Sequence, residues 1–319
     1  MSTEQLPEEF ARIGRHFRPL AGPAALELSD DAALLAPPRG RELVLTVDAM
    51  VAGVHFLPDD PPDLVARKLL RVNLSDLAAK GATPLGYLLT VSVPRATPDD
   101  WFAAFAAGLA EDQRQFDIAL LGGDTTSTAG PVSLSLTAIG HVAPGAMVRR
   151  RGAQPGDGVW VTGTIGDGAL GLAVAQGRLA DTSGHLLGRY RLPEPRLGWP
   201  LAGVASAGMD ISDGLVQDLG HLCHAGGLTA EIGADLVPLS EAARAAGPGW
   251  LATCLTGGDD YELLLAVPPA REAALRHAAE PAGIPVTRIG RFREGPPRVF
   301  VQDASGAELT FPVGGWTHF

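Results

Sequence analysis

The chain has 319 residues, 46% of them hydrophobic, with 40 glycines and 26 prolines, which predicts an ordered α/β or α+β protein of two domains, because a single hydrophobic core seldom grows this large. Its 36 acidic residues outnumber its 25 basic residues and give a formal charge of −11. This charge argues against nucleic acid or an anionic membrane as a partner, since both attract lysine and arginine, and an anionic substrate would require metal ions.

The N-terminal segment predicts an amphipathic helix, since Phe10, Ile13 and Phe17 recur at helical spacing among acidic residues. It lacks the pattern of a secretory signal peptide, and no apolar run reaches the roughly 18 residues that a membrane span requires. Cys223 and Cys254 form no CxxC pair, which is typical of reduced thiols. We therefore expect a soluble, cytoplasmic protein.

Alternating strands and helices in the first half predict a mixed sheet with helices packed against it. A strand begins at Glu42 and is expected to end at Asp48, with a loop through His55 after it. A helix is predicted over 62–80. The segments LGYLLTVSV and VSLSLTAIGHV predict further strands of the same sheet, separated by the helix WFAAFAAGLAEDQRQF.

The best candidate for a domain boundary is HVAPGAMVRRRGAQPGD, where periodicity gives way to Gly, Pro and Arg. We expect an N-terminal domain over 1–145 and a C-terminal domain over 146–319. In the second domain the sequence predicts a strand at VWVTG, a helix at DGALGLAVAQG and an acidic turn before the strand in CLTGGDDYELLLAV. A last helix and strand are predicted in ALRHAAEPAGIPVTRIGRF.

Acidic residues flanked by small residues recur at the ends of apolar segments. The motifs are SDDAALL (Asp30, Asp31), LTVDAM (Asp48), NLSDLAAKG (Asp76), LLGGDTTS (Asp124) and MDISDG (Asp210, Asp213). Any one of these aspartates could cap a helix or a turn. Together they favour Mg²⁺, because clustered carboxylates repel one another without metal and are hard oxygen ligands. The spacing fits neither an EF-hand loop nor a zinc site.

Lysine-based phosphate sites are absent from the sequence. Lys68 and Lys80 are the only lysines, and neither lies in a GK[ST] motif; the HRD and DFG motifs of protein kinases are also missing. A phosphotransferase of this sequence would neutralise phosphate with metals held by aspartates and with the N–H groups of a Gly-rich turn, for which LLGGDTTS is the candidate. GTIGDGALG does not fit the dinucleotide fingerprint, and its small residues favour close helix packing.

Three further side chains have open alternatives. His55 lies in VAGVHF beside a strand-end aspartate, where it could be a packed residue, a phosphate contact or an acid–base group. Trp316 lies in the terminal GGWTHF, where it could anchor the tail or stack on a flat heteroaromatic ring. Asp218, in the helix predicted after MDISDG, either supports the metal ligands or faces solvent.

Taken in order, these motifs, together with RRGAQPGD and GGDDYELLL, resemble the thiamine-monophosphate kinase family from about residue 8 to Phe319. Several motifs also occur in the wider superfamily of aminoimidazole ribonucleotide synthetase, selenophosphate synthetase and a hydrogenase maturation protein, whereas VAGVHF, GGDDYEL and GGWTHF are more specific. The resemblance implies a two-domain aminoimidazole ribonucleotide synthetase-like α/β (α+β) fold of mixed sheets with packed helices. It implies a homodimeric enzyme that transfers the γ-phosphate of ATP to thiamine phosphate with several Mg²⁺ ions.

The resemblance also implies roles for each domain and for individual residues. The N-terminal domain is expected to bind ATP and Mg²⁺ and to form the dimer, and the C-terminal domain to complete the substrate site. The implied metal ligands are Asp31, Thr46, Asp48, Asp76, Asp124, Asp210 and Asp213. The implied ATP contacts are Gly123, Asp124, Arg150 and Ser212, and the implied thiamine phosphate contacts are His55, Asp259 and Trp316. No side chain is expected to act as a covalent nucleophile.

The chain departs from the family pattern at Val47, which replaces a hydroxyl residue and leaves only its backbone carbonyl as a metal contact. Asp259 replaces the usual glutamate, so its contact is expected to be direct or through water. The alternative function is another ATP-dependent synthetase or phosphotransferase of the superfamily, although the first 222 residues contain no Cys, which disfavours selenophosphate chemistry. A silent binding protein and a metal-dependent phosphatase are the remaining alternatives.

Overall fold

A computed structural model describes residues 8–317. Residues 1–7 and 318–319, which include the end of the GGWTHF motif, lie outside the described range. The chain divides into two compact units. The first comprises the residues up to Leu77 together with Thr83–Pro144, and the second comprises Ala78–Ala82 together with the residues from Gly145 onward.

The first unit contains a four-stranded mixed sheet. Its strands are β1 (Glu42–Val51), β2 (Thr83–Pro94), β3 (Ala119–Thr128) and β4 (Ser133–Val142), in the order β1-β4-β2-β3. β2 and β3 are parallel, and the other adjacent pairs are antiparallel. The expected end of β1 at Asp48 is wrong, because its pairing with β4 continues as far as Val51.

Two helices of the first unit, α2 (Pro62–Ala79) and α3 (Asp99–Phe116), cover one face of this sheet. α1 (Glu8–Arg12) continues as a π-helical turn over Ile13–Phe17, and Arg12 and His16 contact Phe102 of α3. Short 3₁₀ segments span Arg18–Leu20 and Pro23–Leu28. Phe17 is buried but Phe10 is 56% exposed, so the predicted apolar stripe fails at Phe10, because a π turn shifts the helical phase.

The two faces of the N-terminal sheet differ. On one face, Gln113 of α3 donates a hydrogen bond to the Tyr87 hydroxyl of β2 at 3.0 Å. On the other face, β1 exposes a row of apolar side chains, with Leu43 at 42%, Leu45 at 62% and Val47 at 61% exposure. Successive strand residues point to opposite faces, so the same strand contributes both to the helix-covered side and to an open apolar side.

The second unit contains a seven-stranded mixed sheet in the order β11-β10-β7-β9-β5-β8-β6. Its strands are β5 (Gly158–Thr162), β6 (Ala207–Asp210), β7 (Leu228–Gly233), β8 (Leu263–Val267), β9 (Val286–Glu294), β10 (Arg298–Gln302) and β11 (Glu308–Leu309). Its helices are α4 (Asp167–Ala175), α5 (His185–Arg191), α6 (Leu215–Gly226), α7 (Glu241–Ala245), α8 (Leu251–Thr256) and α9 (Glu272–Ala279). Among the strands within residues 8–317 of this sheet, only β7 and β10 pair in parallel. Mixed sheets with packed helices confirm the predicted fold class.

The core of the second unit determines where its loops emerge. Every residue of β5 and β8 is buried, as expected for central strands covered on both faces. Leu215, Leu219 and Leu222 of α6 are fully buried at helical spacing. The MDISDG segment therefore runs from a buried strand end to the start of a well-anchored helix. Within residues 8–317, no helix combines the length and apolarity needed to cross a bilayer.

Candidate active site

One group of implied metal ligands lies where β1 faces α2. The Thr46 hydroxyl donates a hydrogen bond to Asp76 Oδ2 on α2. The backbone N–H of Asp48 donates to Asn73 Oδ1, also on α2, at 3.1 Å. The structure thus brings Thr46, Asp48 and Asp76 together on the helix-covered side of β1.

Asn73 is a residue of this group that the sequence interpretation missed. Its side chain is fully buried, and its Nδ2 donates to the Leu69 carbonyl at 2.9 Å. Because its Oδ1 and its Nδ2 are both hydrogen-bonded, Asn73 fixes the backbone at Asp48 and thereby the position from which the Asp48 carboxylate extends. The available signal was the spacing of Asn73 and Asp76, which places both on one helix face.

Asp31 and Asp124 line a separate cavity at the edge strand β3. The cavity has a volume of about 190 Å³ and is also lined by Asp30 and Gly123. In the sheet register Asp124 pairs with Thr90, a residue of the partly open face, whereas Thr46 pairs with the buried Ala138. Asp124 and Thr46 therefore lie on opposite faces of the sheet, and the structure does not gather all the implied ligands of this unit into one cluster.

LLGGDTTS is not the turn that the sequence suggested. Gly122 and Gly123 lie inside β3, paired with Leu88 and Leu89, next to a register shift at Tyr87. A Cβ on Gly123 would lie 1.8 Å from the Leu89 carbonyl oxygen, so glycine is required for the close approach of these strands. The expected turn is therefore wrong, and the ATP contact of Gly123 stays a prediction.

His55 has a defined ring orientation after β1. The Val51 backbone N–H donates to His55 Nδ1 at 3.0 Å. Because Nδ1 accepts, the neutral imidazole carries its proton on Nε2. Lys68 Nζ donates to the His55 carbonyl at 3.2 Å, which holds the backbone of the same turn. Nε2 is thereby the ring atom that can donate a hydrogen bond to an anion.

In the second unit, the MDISDG segment is hydrogen-bonded along its length to the turn before β8. Asp210 pairs with the first residue of β8. The Tyr261 N–H donates to the Ile211 carbonyl at 2.8 Å. The Asp259 N–H donates to the Ser212 carbonyl at 2.9 Å. These bonds extend the sheet beyond its formal end and hold Asp210, Ser212 and Asp259 in one site.

Asp218 holds the backbone of the MDISDG segment through hydrogen bonds. Its Oδ2 accepts the backbone N–H groups of Ser212 and Asp213 at 3.0 Å and of Gly214 at 3.2 Å. Burial raises the pKa of Asp218 to about 7, although the three N–H groups favour the carboxylate. Of the two roles that the sequence left open, solvent exposure is wrong, because the side chain is buried and holds the loop.

The turn before β8 has a strained backbone. Asp259 and Tyr261 have φ angles of 73° and 52°, left-handed values that cost about 1 kcal/mol or more for residues other than glycine. Between them, Asp260 accepts the Gly166 and Gly168 N–H groups at 2.7 and 3.0 Å. Burial raises the pKa of Asp260 well above its usual range. Such strain persists only where the surrounding contacts enforce it, and here it directs Asp259 out of the interior.

The C-terminal tail brings Trp316 to the same segment. Its backbone N–H donates to the Asp213 carbonyl at 2.9 Å, and its backbone carbonyl accepts from Gln217 Nε2 at 2.6 Å. A Cβ on Gly315 would lie 2.5 Å from Gln217 Cβ, so glycine permits this close approach. The Trp316 indole is 53% exposed. The backbone is therefore fixed while the ring presents area for stacking.

Arg150 lies within electrostatic range of the MDISDG segment. Burial lowers the pKa of His221, Arg150 lowers it further, and Asp213 acts in the opposite direction. His221 on α6 is therefore close enough to sense both charges. The second unit thus assembles most of the residues implied for it around one loop: Asp210, Ser212, Asp213, Asp259 and Trp316, with Arg150 nearby.

GTIGDGALG packs closely, as its small residues predicted. Cβ atoms on Gly168 and Gly171 would lie 2.2 Å from the Asp259 carbonyl oxygen and 2.1 Å from the Leu186 carbonyl oxygen. The N–H groups of Gly166 and Gly168 at the start of α4 are already bound by Asp260. This helix start is therefore satisfied within the protein and is not a phosphate site, which confirms the packing interpretation.

The donor chemistry of both units suits Mg²⁺. The implied ligands supply carboxylate and hydroxyl oxygens only. Among residues 8–317, no group of three or more His, Cys, Asp or Glu side chains is arranged to hold a metal ion. Mg²⁺ usually takes one or two protein carboxylates and completes its octahedron with water and substrate phosphates. Pairs of oxygen ligands such as Thr46 with Asp76, or Asp210 with Asp213, fit that pattern of coordination.

The chain is similar in sequence to known protein families and to a curated relative. Residues 29–142 match the family described as AIR synthase related protein, N-terminal domain, and residues 154–302 match AIR synthase related protein, C-terminal domain. The thiamine-monophosphate kinase of Caulobacter vibrioides is 48% identical, and the similarity covers 98% of this chain and 91% of the relative.

Two solved structures have a similar fold. The crystal structure of thiamine-monophosphate kinase from Stenotrophomonas maltophilia K279a has a TM-score of 0.82 and 42% identity, covering 92% of this chain and 96% of that chain. AaThiL complexed with AMPPCP and TMP has a TM-score of 0.78 and 30% identity, covering 91% of each chain. The similarity therefore extends through both units.

Proposed function

This chain belongs to the thiamine-monophosphate kinase family, and on that premise we propose that it transfers the γ-phosphate of ATP directly to the phosphate of thiamine phosphate, giving thiamine diphosphate and ADP. The enzyme is a thiamine-phosphate kinase with ATP as co-substrate, in keeping with the AMPPCP and TMP bound to AaThiL. The observation that carries the proposal is the loop of the second unit, which combines Asp210 and Asp213 with Asp259 and an accessible indole at Trp316.

We propose that several Mg²⁺ ions assist the transfer. The residues that would hold them are Asp31, Thr46, Asp48, Asp76, Asp124, Asp210 and Asp213. Bound Mg²⁺ would neutralise phosphate oxygens, which matters because both reactants are polyanions. The chain has only two lysines and a formal charge of −11, and Arg150 is the one cation among the implied ATP contacts, so most of that neutralisation is left to the metal.

The chain's own residues would position the acceptor for in-line transfer. The phosphate of thiamine phosphate is already ionised near neutral pH, so no strong general base is needed. His55 Nε2–H would donate a hydrogen bond to this phosphate, Trp316 would stack on a thiamine ring, and Asp259 would contact the substrate directly or through water. Holding the reactants in this way supplies most of the catalysis. A phosphorylated enzyme in a single-turnover reaction with labelled ATP would contradict direct transfer.

We also propose that the enzyme is a homodimer formed by its N-terminal unit. The open face of the sheet exposes Leu43, Leu45 and Val47 in a row along β1. Contiguous exposed apolar side chains of this kind mark association surfaces. A second copy of the same strand face would bury this row through a self-complementary contact.

A coupled assay for ADP tests the proposed activity. With thiamine phosphate as acceptor, we expect ADP release that requires both the acceptor and Mg²⁺. ADP release only with formylglycinamidine ribonucleotide would favour the synthetase alternative, and phosphate release without any acceptor would favour a phosphatase. Calorimetric binding of thiamine phosphate and an ATP analogue without turnover would mark a silent binding protein. Any of these three results would overturn the proposal.

A further inference from the structure

Glu262, just before β8, is a fully buried carboxylate shared by two arginines. Arg196 donates from Nε to Oε2 at 2.7 Å and from Nη2 to Oε1 at 2.5 Å. Arg189 of α5 donates from Nη2 to Oε1 at 2.9 Å, and the Thr162 hydroxyl donates to Oε2 at 2.6 Å. Each oxygen therefore has two donors, which is the condition under which a buried charge is tolerated.

This cluster continues directly into the strained turn. The Glu262 carbonyl accepts the Ile211 N–H of the MDISDG segment at 2.8 Å. Arg189 Nη2 also donates to the Asp260 carbonyl at 3.1 Å. The backbone is thus held on both sides of Tyr261, one of the two residues with a left-handed φ. If these anchors loosened, Tyr261 and Asp259 would relax toward ordinary φ values and Asp259 would move.

We infer that Arg189, Arg196 and Glu262 are positioning residues for the acceptor site, acting through the strained turn that presents Asp259. The side chains of Arg189 and Arg196 are only 12% and 11% exposed. Their donors are directed at Glu262, at the turn and at Glu194, which lies 3.1 Å from Arg196 Nη1 and 3.8 Å from Arg189 Nη1. They therefore act on substrate binding without contacting the substrate. The inference rests on the proposed function, because it names residues that set affinity for thiamine phosphate.

The first unit offers a matched control. Asp112 of α3 is also fully buried and is also shared by two arginines. Arg67 of α2 donates from Nε to Asp112 Oδ1 at 2.9 Å, and its side chain is 13% exposed. Arg67 resembles Arg196 in burial and in joining a buried carboxylate to an exposed one, since its Nη1 lies 2.8 Å from Glu111 as Arg196 Nη1 lies 3.1 Å from Glu194. It makes one hydrogen bond to Asp112 where Arg196 makes two to Glu262, and its cluster joins two helices instead of holding a strained turn. Arg67→Lys therefore reports the cost of weakening a buried ion pair alone.

The test compares Arg196→Lys with Arg67→Lys in acceptor-dependent ADP release. Lysine keeps the charge but cannot form the two-pronged guanidinium contact. We expect Arg196→Lys to raise KM for thiamine phosphate by about tenfold or more, since small displacements of a positioned group have effects of this size. KM for ATP should change less, because the MDISDG segment keeps its second support from Asp218. Arg67→Lys should lower the melting temperature similarly and leave both KM values near wild type.

Arg189→Lys is the second variant in case Arg196→Lys does not fold, and the same selective rise in KM is expected. Wild-type KM for thiamine phosphate in a folded variant would overturn the inference, as would an equal rise in Arg67→Lys. Failure of both cluster variants to fold while Arg67→Lys folds would also overturn it, since the cluster would then serve stability alone. If the wild type itself releases no acceptor-dependent ADP, the proposed function fails, and calorimetric titration with thiamine phosphate still measures the ratio between variant and wild type.

Discussion

The carboxylates of the second unit divide into those that hold the backbone and those that are expected to bind metal or substrate. Asp218 and Asp260 are buried, and each accepts two or more backbone N–H groups. Asp213 and Asp259 are partly exposed on the segments that those two residues hold. The carboxylates of Asp218 and Asp260 hold backbone N–H groups, so we expect a structural role for them and expect the chemistry at Asp210, Asp213 and Asp259, the residues that the family pattern implies as metal or substrate contacts.

Asp210→Asn should remove activity and leave the fold intact. Asparagine has nearly the same shape as aspartate, and the position at the end of β6 is buried, so packing should be retained. Loss of the charge proposed to hold Mg²⁺ should lower kcat by about 100-fold or more, the scale found for lost electrostatic stabilisation of a transition state. Steady-state kinetics and thermal melts check this, with the exposed Asp235→Asn as control. A collapsed melting temperature would contradict it.

His55 should act as a donor through Nε2, because Val51 N–H occupies Nδ1. His55→Gln can place an amide N–H near the former Nε2, whereas His55→Asn can only replace the acceptor at Nδ1. We therefore expect His55→Gln to keep a lower KM for thiamine phosphate than His55→Asn. Steady-state kinetics on the two variants measures the order. The reverse order would show that the Val51 contact, and not a donor to phosphate, is what matters.

Asp260 should make stability depend on pH. Burial raises its folded pKa well above the value of about 3.9 in an unfolded chain. Between these two values the folded state holds a proton that the unfolded state has released, so this contribution to stability is full below about pH 3.9 and is lost as pH rises through the folded pKa. The free energy of unfolding of wild type minus that of Asp260→Asn should therefore fall as the pH rises from about 4 toward neutrality. Denaturant unfolding across that range measures it, and a constant or rising difference would refute it.

At the level of elements, the turn before β8 and the MDISDG segment depend on one close approach. A Cβ on Gly258 would lie 2.2 Å from the Ser212 carbonyl oxygen, too close for any side chain. Gly258→Ala should push the two segments apart and reduce activity strongly. Gly249→Ala is the matched control, since nothing lies within 4 Å of its Cβ position. Equal activities in the two variants, measured as acceptor-dependent ADP release, would show that the approach is irrelevant to the site.

The same elements show what a sequence can and cannot predict. The apolar runs of β5 and β8 indicate strands because a short, continuous apolar segment can be recognised in the sequence itself, without knowledge of the neighbouring strands. LLGGDTTS was mistaken for a turn, because glycines inside a strand are recognised only when the neighbouring strand is known. Glu262 was missed for a similar reason, since its partner Arg196 lies 66 residues away. Local pattern identifies elements and exposed motifs, whereas buried ion pairs depend on contacts that only the fold creates.

For the whole molecule, net charge and exposed apolar surface act in opposite directions on the association of two copies. The chain carries a formal charge of −11, which by itself opposes association of two copies. The open face of the N-terminal sheet counters this with uncharged side chains, because Leu43, Leu45 and Val47 alternate along β1 with residues that face α2. Burying a leucine side chain contributes about 1.5–3 kcal/mol, so a few such residues from each copy can outweigh a screened charge repulsion.

Leu45→Lys should therefore convert a dimer to monomers. Leu45 is 62% exposed and lies in the middle of the apolar row, so a lysine there would place like charges together across a two-fold contact. Leu236→Lys is the control, because Leu236 is also exposed, at 51%, but belongs to the second unit. Sedimentation velocity should show a dimer for wild type and for Leu236→Lys, and a monomer for Leu45→Lys with its fold retained by circular dichroism. A wild-type monomer, or a dimer that survives Leu45→Lys, would mean that this face of the sheet does not form the dimer.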